Sequence, residues 1–391
     1  MKGAFYCCFG LKDIYFEGDA PSIDYNSFGG VTGTCYYPKG NTTYTSAVTG
    51  SGYGGTLNWV EMNADSSNYC GENITWELTD DGVLKLTGSG AMYDYDGTKA
   101  VYAPWYSQKS KIKSVEVSAG ITHLGQDAFS ACNSLTTVSI PETVVSAGIN
   151  VFEYCISLKS IVLPDSLTYI PSGMFYGCTN LIDVDFPKYI TIIGGSAFSD
   201  CTQLGSVVLP EELVSIGDYA FYGCGYNDDG YNSTGYNFTS VTLPSTVKSI
   251  GKGAFCWCNS LTSINIPYGV ETIGAYAFQW AGIGSLTIPS TVKSIGTGTF
   301  QWCRRLKTVY FYGNAPEFGS DMFGLKSGQK TTAYYPGANE TWTDELVTSM
   351  DNYYVDFIPW DAIDEPGAGG GAGGNEGDDS QTGRQVCAPR L

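Results

Sequence analysis

The sequence predicts a mainly β solenoid: stacked coils with parallel strands, short helical or 3₁₀ corners, and β caps at the ends. One phenylalanine returns at gaps of 23, 23, 23, 23, 34, 23, 22 and 23 residues. A strand-like segment ending in proline returns at the same spacing, and so does a cysteine. A fixed period in this range is typical of repeat architectures. The phenylalanines are Phe129, Phe152, Phe175, Phe198, Phe221, Phe255, Phe278, Phe300 and Phe323.

The first element of each period is a short strand. Apolar residues alternate with polar ones before a proline, as in Val184 and Phe186 before Pro187. Period-two alternation with β-branched residues is typical of a half-buried strand. Proline has no N–H for the ladder, so it ends the strand. We expect one strand per coil at this place, and a continuous parallel sheet made of these strands.

The second element is another inward-facing pair, three and six residues after the proline, such as Ile190 and Ile193. A glycine follows at one shared position, which indicates either a positive φ or a close backbone approach. An Ala-Phe pair and the cysteine then close the coil, which predicts one helical or 3₁₀ turn at the corner. The shared glycines are Gly194, Gly217, Gly251, Gly274 and Gly296.

Seven cysteines hold the same place in their coils, three residues after the repeat phenylalanine. They predict a ladder of small buried residues facing the core. The alternative is pairwise oxidation, since adjacent rungs at strand spacing would lie about 5 Å apart. These cysteines are Cys132, Cys155, Cys178, Cys201, Cys224, Cys258 and Cys303.

The period, L-x-x-V-x-I-P-x-x-V-x-x-I-G-x-x-A-F-x-x-C, resembles the BspA-type leucine-rich repeat of bacterial and some protist surface proteins. The resemblance covers about residues 112–326 and recurs at least eight times in register. It implies a leucine-rich-repeat solenoid over this range and a place at the cell surface or outside the cell.

Residues 1–63 are predicted to be the end of an upstream array with its terminal cap. The segment LKDIYFEGDAP at 11–21 matches LKTVYFYGNAP at 306–316. We therefore expect a C-terminal cap of the same kind at 327–361. No cleavage site follows the short apolar run at the N-terminus, so neither an export signal nor an anchor is expected in this chain.

Residues 64–111 are predicted to be a small β-hairpin module that caps the main array. Ile74, Trp76 and Leu78 alternate, the pair Asp81-Gly82 supplies a turn, and a second alternating run follows. Trp76 and Trp105 are expected to cover the first coil. A Tyr-, Asn- and Gly-rich insert lengthens the gap after Phe221 and predicts an exposed loop. Residues 362–391 are Gly-rich and acidic, which is typical of a flexible linker or tail.

The composition of the chain argues against several classes of function. The 391 residues carry a net charge of −19 with only 20 basic residues, which argues against nucleic acid or an anionic membrane as partner. No apolar run is long enough to cross a membrane. The single histidine, His123, has no nucleophile motif around it. We expect no catalysis, cofactor or metal site.

The candidate binding residues follow the repeat phenylalanine by two positions. Trp257, Trp280 and Trp302 occupy this position in three consecutive coils, and Tyr154 occupies it earlier. Tyr231 of the insert would project beside them. Two interpretations stay open: the rings shield the coil corners, or they form a contact surface, since Trp and Tyr dominate interface hot spots.

The predicted function is therefore a non-catalytic, adhesin-like module that contacts a protein or glycan of a host or neighbouring cell, as the family resemblance implies. Two alternatives remain. The repeats could form a structural stalk that sets distance, or an accessory module of a larger surface enzyme.

Overall fold

A computed structural model describes residues 3–16, 19–38, 41–62, 68–99, 101–226, 238–324, 330–350 and 355–361. Its elements in chain order are β1 (Asp13–Tyr15), β2 (Thr32–Pro38), α1 (Ser46–Thr49), β3 (Thr56–Met62), β4 (Tyr69–Leu78), β5 (Val83–Met92), β6 (Ser114–Val117), β7 (Ile121–Leu124), β8 (Thr137–Ser139), β9 (Ser146–Ala147), β10 (Ser160–Val162), β11 (Tyr169–Ile170), β12 (Asp183–Asp185), β13 (Ile192–Ile193), β14 (Val207–Val208), β15 (Ser215–Ile216), β16 (Ser240–Thr242), β17 (Ser249–Ile250), β18 (Ser263–Ile264), β19 (Thr272–Ile273), β20 (Ser285–Ile288), β21 (Ser294–Ile295), β22 (Thr308–Phe311), β23 (Glu317–Phe318), β24 (Thr331–Pro336), α2 (Asp344–Met350) and β25 (Val355–Trp360).

The main array is a parallel solenoid, as predicted, but each coil carries two strands instead of one. The strand before the proline forms the first wall. The inward pair after it forms a second strand of about two residues, and these strands form the second wall. Pairing joins residues one period apart, for example Ser160 to Asp183 and Ile193 to Ile216.

The continuous sheet is on the second wall, so the expectation of a continuous sheet before the prolines was wrong. The second wall has seven strands in the order β11-β13-β15-β17-β19-β21-β23. The first wall is divided, with ladders β10-β12, β14-β16-β18 and β20-β22-β24-β25. Most inward side chains of both walls are buried, and Val138, Ile140 and Phe186 are half-buried and pack against them, which confirms the predicted core.

The shared glycines mark a close backbone approach and not a positive φ. A Cβ on Gly251 would lie 2.5 Å from the carbonyl carbon of Gly217, one coil back. A Cβ on Gly296 would lie 2.3 Å from the amide nitrogen of Ala275. These contacts are with main-chain atoms, which cannot rotate away. Only glycine therefore lets successive coils approach this closely here.

The corners of the array are hydrogen-bonded turns, which corrects the expected helical or 3₁₀ turn. Residues in the left-handed conformation interrupt each corner, such as Asp200 at φ 59° and Trp257 at φ 62°. A right-handed turn cannot continue through such a residue. The described 3₁₀ helices, Gly97–Lys99 and Tyr106–Lys111, belong instead to the module before the array.

A ladder of buried phenylalanine rings runs through the core. Phe175 and Phe198 lie 5.3 Å apart between ring centroids, and Phe198 and Phe221 lie 5.2 Å apart, in each case stacked. The neighbouring cysteine ladder is also buried, as predicted. Its cysteines are free thiols in the structure.

The hairpin module packs on the first coil of this core. Trp105 is buried, stacks on Phe129 at 5.8 Å, and donates a hydrogen bond from Nε1 to the Ala128 carbonyl. Trp76 contacts Trp105 edge-on at 5.7 Å. These contacts confirm that the two tryptophans cover the first coil. Strand β5 pairs with β6 on the first wall and with β7 on the second.

The N-terminal unit and the C-terminal cap have the same architecture. β1-β2-β3 and β22-β24-β25 are parallel ladders. In one, Thr43 Oγ1 donates to Asn41 Oδ1 at 2.6 Å; in the other, Thr341 Oγ1 donates to Asn339 Oδ1 at 2.6 Å. The N-terminal unit has its own small core of Ile14, Phe28, Val31 and Cys35. The two segments that share a sequence pattern therefore also share a structure.

Candidate binding surfaces

Four of the five predicted site residues, Trp257, Trp280, Trp302 and Tyr154, lie on a column that we call the corner column: the position two after each repeat phenylalanine. Residues of this column have positive φ, including Tyr154 (53°), Trp280 (61°) and Trp302 (65°). The N–H of each donates to a carbonyl of the next coil, as Trp280 does to Gln301 at 3.0 Å. The left-handed conformation therefore belongs to a hydrogen-bonded ladder along the solenoid axis.

Trp257, Trp280 and Trp302 form one stack on this column. The ring centroids of Trp257 and Trp280 lie 4.7 Å apart with an interplanar angle of 13°, and those of Trp280 and Trp302 lie 5.0 Å apart at 4°. All three residues are half-buried. The rings cover one another face to face, so the faces of Trp280 contact its neighbours and the ring edges are left for solvent.

Two further residues complete the stack. Tyr226 meets Trp257 edge-on, with ring centroids 5.3 Å apart and an interplanar angle of 88°. The guanidinium carbon of Arg304 lies 4.7 Å from the centroid of Trp280, a cation–π distance. Sequence reasoning missed Arg304 as a site residue. Its position two residues after Trp302 is the only sequence signal for this contact.

The predicted residue Tyr154 does not belong to the tryptophan stack. Tyr154 is 43% exposed and contacts Tyr176 edge-on at 5.1 Å, in an earlier part of the column. A hydrogen bond with Tyr176 and burial raise the pKa of Tyr154 to about 12. Tyr231 and most of the insert lie outside the described residues.

Two carboxylates accompany the tyrosines of the corner column. Burial raises the pKa of Glu153, whose Oε2 accepts a 3.0 Å hydrogen bond from Ser130. Burial also raises the pKa of Asp200, which occupies the column position between Gly177 and Gly223. This stretch therefore has an aromatic and acidic character, whereas the tryptophan stack carries an arginine.

His123 joins the cap module to the first two coils. Its Nδ1 lies 2.8 Å from Ser146 Oγ, and its Nε2 lies 3.3 Å from Asp94 Oδ1. Asp94 also accepts a hydrogen bond from the Gln126 amide at 2.7 Å. His123 is on β7, and Ser146 is on β9 of the same wall. We assign these contacts to attachment of the cap.

Metal sites and membrane-spanning helices are two other features to consider. Within the described ranges, no group of three His, Cys, Asp or Glu residues has a metal-binding arrangement. In the same part of the chain, no helix has the length and apolarity needed to span a bilayer.

The repeat pattern of this chain is shared with known proteins. The sequence profile described as the BspA-type leucine-rich repeat region matches residues 100–227 and 228–346, with six copies. The chain belongs to this family. The match covers more than half of the BspA-type chain and includes the corner column with its tryptophan stack.

Solved structures of bacterial leucine-rich repeat proteins are similar to this BspA-type chain. One, from Bacteroides ovatus, is 22% identical, with a TM-score of 0.46, and the match covers 73% of this chain and 76% of that one. Another, from Eubacterium ventriosum, is 24% identical, with a TM-score of 0.41 and coverage of 74% and 84%. A leucine rich cell surface protein from Faecalibacterium prausnitzii is 18% identical, with a TM-score of 0.28 and coverage of 64% and 95%. No curated protein matches the chain significantly.

Proposed function

We propose that this protein is a non-catalytic binding module of the cell surface or extracellular space. It contacts a protein or glycan of a host or neighbouring cell through the tryptophan stack of the corner column. The family membership supports the surface location. The conformation of the three tryptophans supports the choice of site.

The supporting observation is that bulky rings occupy left-handed positions. A left-handed conformation costs an L-residue roughly 1–2 kcal/mol, and glycine avoids that cost. Glycine does occupy this column at Gly177 and Gly223, with φ of 69° in both cases. Three consecutive tryptophans at such positions are therefore not required by the backbone. Strained, half-exposed residues of this kind are concentrated at functional sites.

The stack has the composition of an interaction hot spot. Aromatic rings present a large apolar area with few rotatable bonds, so little rotamer entropy is lost on contact. Arg304 adds a planar cation beside Trp280. Because the ring faces are stacked on each other, the partner would meet a strip of ring edges and the guanidinium. At coil spacing the strip is roughly 10 Å long.

The test replaces the three tryptophans by glycine, since glycine already occupies this column in other coils. We expect Trp257→Gly/Trp280→Gly/Trp302→Gly to lose adhesion in a screen of glycans and matrix proteins, while circular dichroism shows an unchanged fold. The matched control is Tyr219→Gly/Tyr276→Gly. It removes rings from left-handed positions of another column, both at φ 58°. A folded triple variant that adheres like wild type would remove the stack as the site and favour a stalk.

A further inference from the structure

The outward face of the first wall changes character along the array. In the later coils its strands carry small polar residues. Three earlier coils carry exposed aliphatic residues: Val162 is 64% exposed, Ile182 45% and Val208 72%. Val162 and Val208 lie one coil to either side of Asp185, so exposed aliphatic and acidic side chains alternate along this part of the wall. The polar residues of the later coils are Ser240, Thr242, Ser263, Asn265, Ser285 and Thr287.

The aliphatic residues lie beside carboxylates. Val162 pairs in register with Asp185, and Ser160 with Asp183. One period after Asp185 comes Val208. Both Asp185 and Val208 line a shallow cleft of about 520 Å³ where the first-wall ladder is interrupted between β12 and β14. The gap between β12 and β14 therefore brings a negative side chain and an exposed aliphatic side chain together at the cleft.

The rest of the cleft adds negative charge and a ring. Glu211 and Glu212 line it, together with Tyr189, which is 60% exposed. Lys188 also lines the cleft, but its Nζ lies 2.5 Å from Asp165 Oδ2. Because Lys188 is paired with Asp165, its charge is neutralised. The charge of this surface is therefore set by four carboxylates, those of Asp183, Asp185, Glu211 and Glu212. Lys159 lies one period before Ile182, whose N–H donates to the Lys159 carbonyl at 2.8 Å.

We infer that this surface, which we call the aliphatic strand face (Val162, Ile182, Asp183, Asp185, Tyr189, Val208, Glu211 and Glu212), docks a protein segment that carries lysine or arginine next to aliphatic side chains. The exposed aliphatic groups gain from removal from water. The carboxylates select a cationic partner and repel phosphate-bearing polymers and acidic surfaces. The face does not overlap with the tryptophan stack, so this inference is independent of the proposed function.

The test uses defined peptides as probes. A synthetic peptide of six Lys-Val repeats is titrated into the full chain, and six Glu-Val repeats and six Lys-Ser repeats serve as controls. We expect the Lys-Val peptide to bind, with an affinity that falls as salt is raised. The Glu-Val peptide should not bind, and the Lys-Ser peptide should bind more weakly.

Variants separate a specific face from general attraction to an acidic protein. Asp183→Asn/Asp185→Asn should weaken Lys-Val binding by about tenfold, which corresponds to about 1.4 kcal/mol. Asp80→Asn/Asp81→Asn removes the same charge from the exposed turn of the cap hairpin and should leave binding unchanged. Val162→Thr/Val208→Thr introduces the residue found at Thr242 and Thr287, and should weaken binding several-fold.

Three outcomes would overturn the inference. They are equal weakening by both pairs of aspartate substitutions, unchanged binding by the folded valine variant, and absence of Lys-Val binding to wild type. Because all the substituted residues are on the surface, circular dichroism should be that of wild type throughout. The triple tryptophan variant should bind the Lys-Val peptide normally.

Discussion

At the residue scale, six of the seven ladder cysteines donate a hydrogen bond to the carbonyl oxygen of a repeat phenylalanine. The thiol of Cys178 donates to the carbonyl oxygen of Phe152 at 3.0 Å, and that of Cys201 to Phe175 at 3.2 Å. Burial raises the pKa of Cys178 to about 12 and that of Cys201 well above its usual value. The thiolate is the reactive form of cysteine. The ladder cysteines should therefore react slowly with thiol reagents, because they are buried and because they stay protonated.

Thiol labelling tests this point. In the native protein at pH 8, we expect alkylation at Cys7 and Cys8, which are exposed, and none at Cys155, Cys178 or Cys201. Because burial raises the pKa of Cys178 to about 12, the thiol form dominates at pH 8. Peptide mapping by mass spectrometry before and after unfolding measures the difference. Fast native labelling of the three ladder cysteines would show that the coils open readily.

Among the elements, the first-wall strands were the most predictable. Val184 and Val207 alternate with outward polar or exposed residues, and a proline ends each segment. The second-wall strands were not predicted, because a strand such as Ile192–Ile193 is too short to show alternation. The corner was misjudged for a different reason. Gly177 and Gly223 share a column with Trp257, and this recurrence was the available signal for a positive φ there.

The candidate site, too, could be predicted only in part from the sequence. Recurrence alone places three tryptophans in one row, and the structure puts them there. Recurrence does not determine how the rings pack. Ring orientation depends on the left-handed backbone and on which residue of the next coil lies under the ring, and neither is visible in the spacing.

The glycine column supports a stability prediction at the level of the coil. Gly251→Ala should destabilise the array by about 1–3 kcal/mol, because its Cβ would overlap the main chain of Gly217. The control is Gly284→Ala, whose Cβ would have its nearest neighbour, the Arg305 carbonyl oxygen, at 3.8 Å. That change should stay within about 0.5 kcal/mol. Urea unfolding of both variants measures the contrast, and equal midpoints would contradict the close approach.

At the scale of the whole molecule, each coil packs on the coils before and after it. Strand pairs such as Ser160 with Asp183 and Ile192 with Ser215 join residues 23 positions apart. The insert after Phe221 widens one gap to 34 residues, yet Phe221 still stacks on Phe255 at 5.4 Å. Stability of such an array is approximately a sum of local and nearest-neighbour terms.

A deletion tests this modular architecture. Removal of residues 183–205 takes out one full period, so Ser206 would follow Ile182 as Asp183 does now. We expect a cooperative fold with an unchanged circular dichroism shape. Removal of residues 183–206 would shift the alternation by one and turn inward residues outward, so it should disrupt the array. Similar melting curves for the two deletions would refute a register fixed by the period.

The corner column finally constrains how sequences of this kind can change. The ring of Tyr154 lies where a side chain of the next coil would be: a Cβ on Gly177 would be 2.4 Å from that ring. At these places the ring of one coil is followed either by glycine, as at Gly177 after Tyr154, or by another ring stacked in parallel, as at Trp280 after Trp257. Substitutions along the column are thus coupled between neighbours. A new recognition surface on the corner column has to arise by replacements in two neighbouring coils together. Sequence variation on this side of the solenoid is therefore slower than variation among the outward strand residues, and changes in neighbouring coils are correlated.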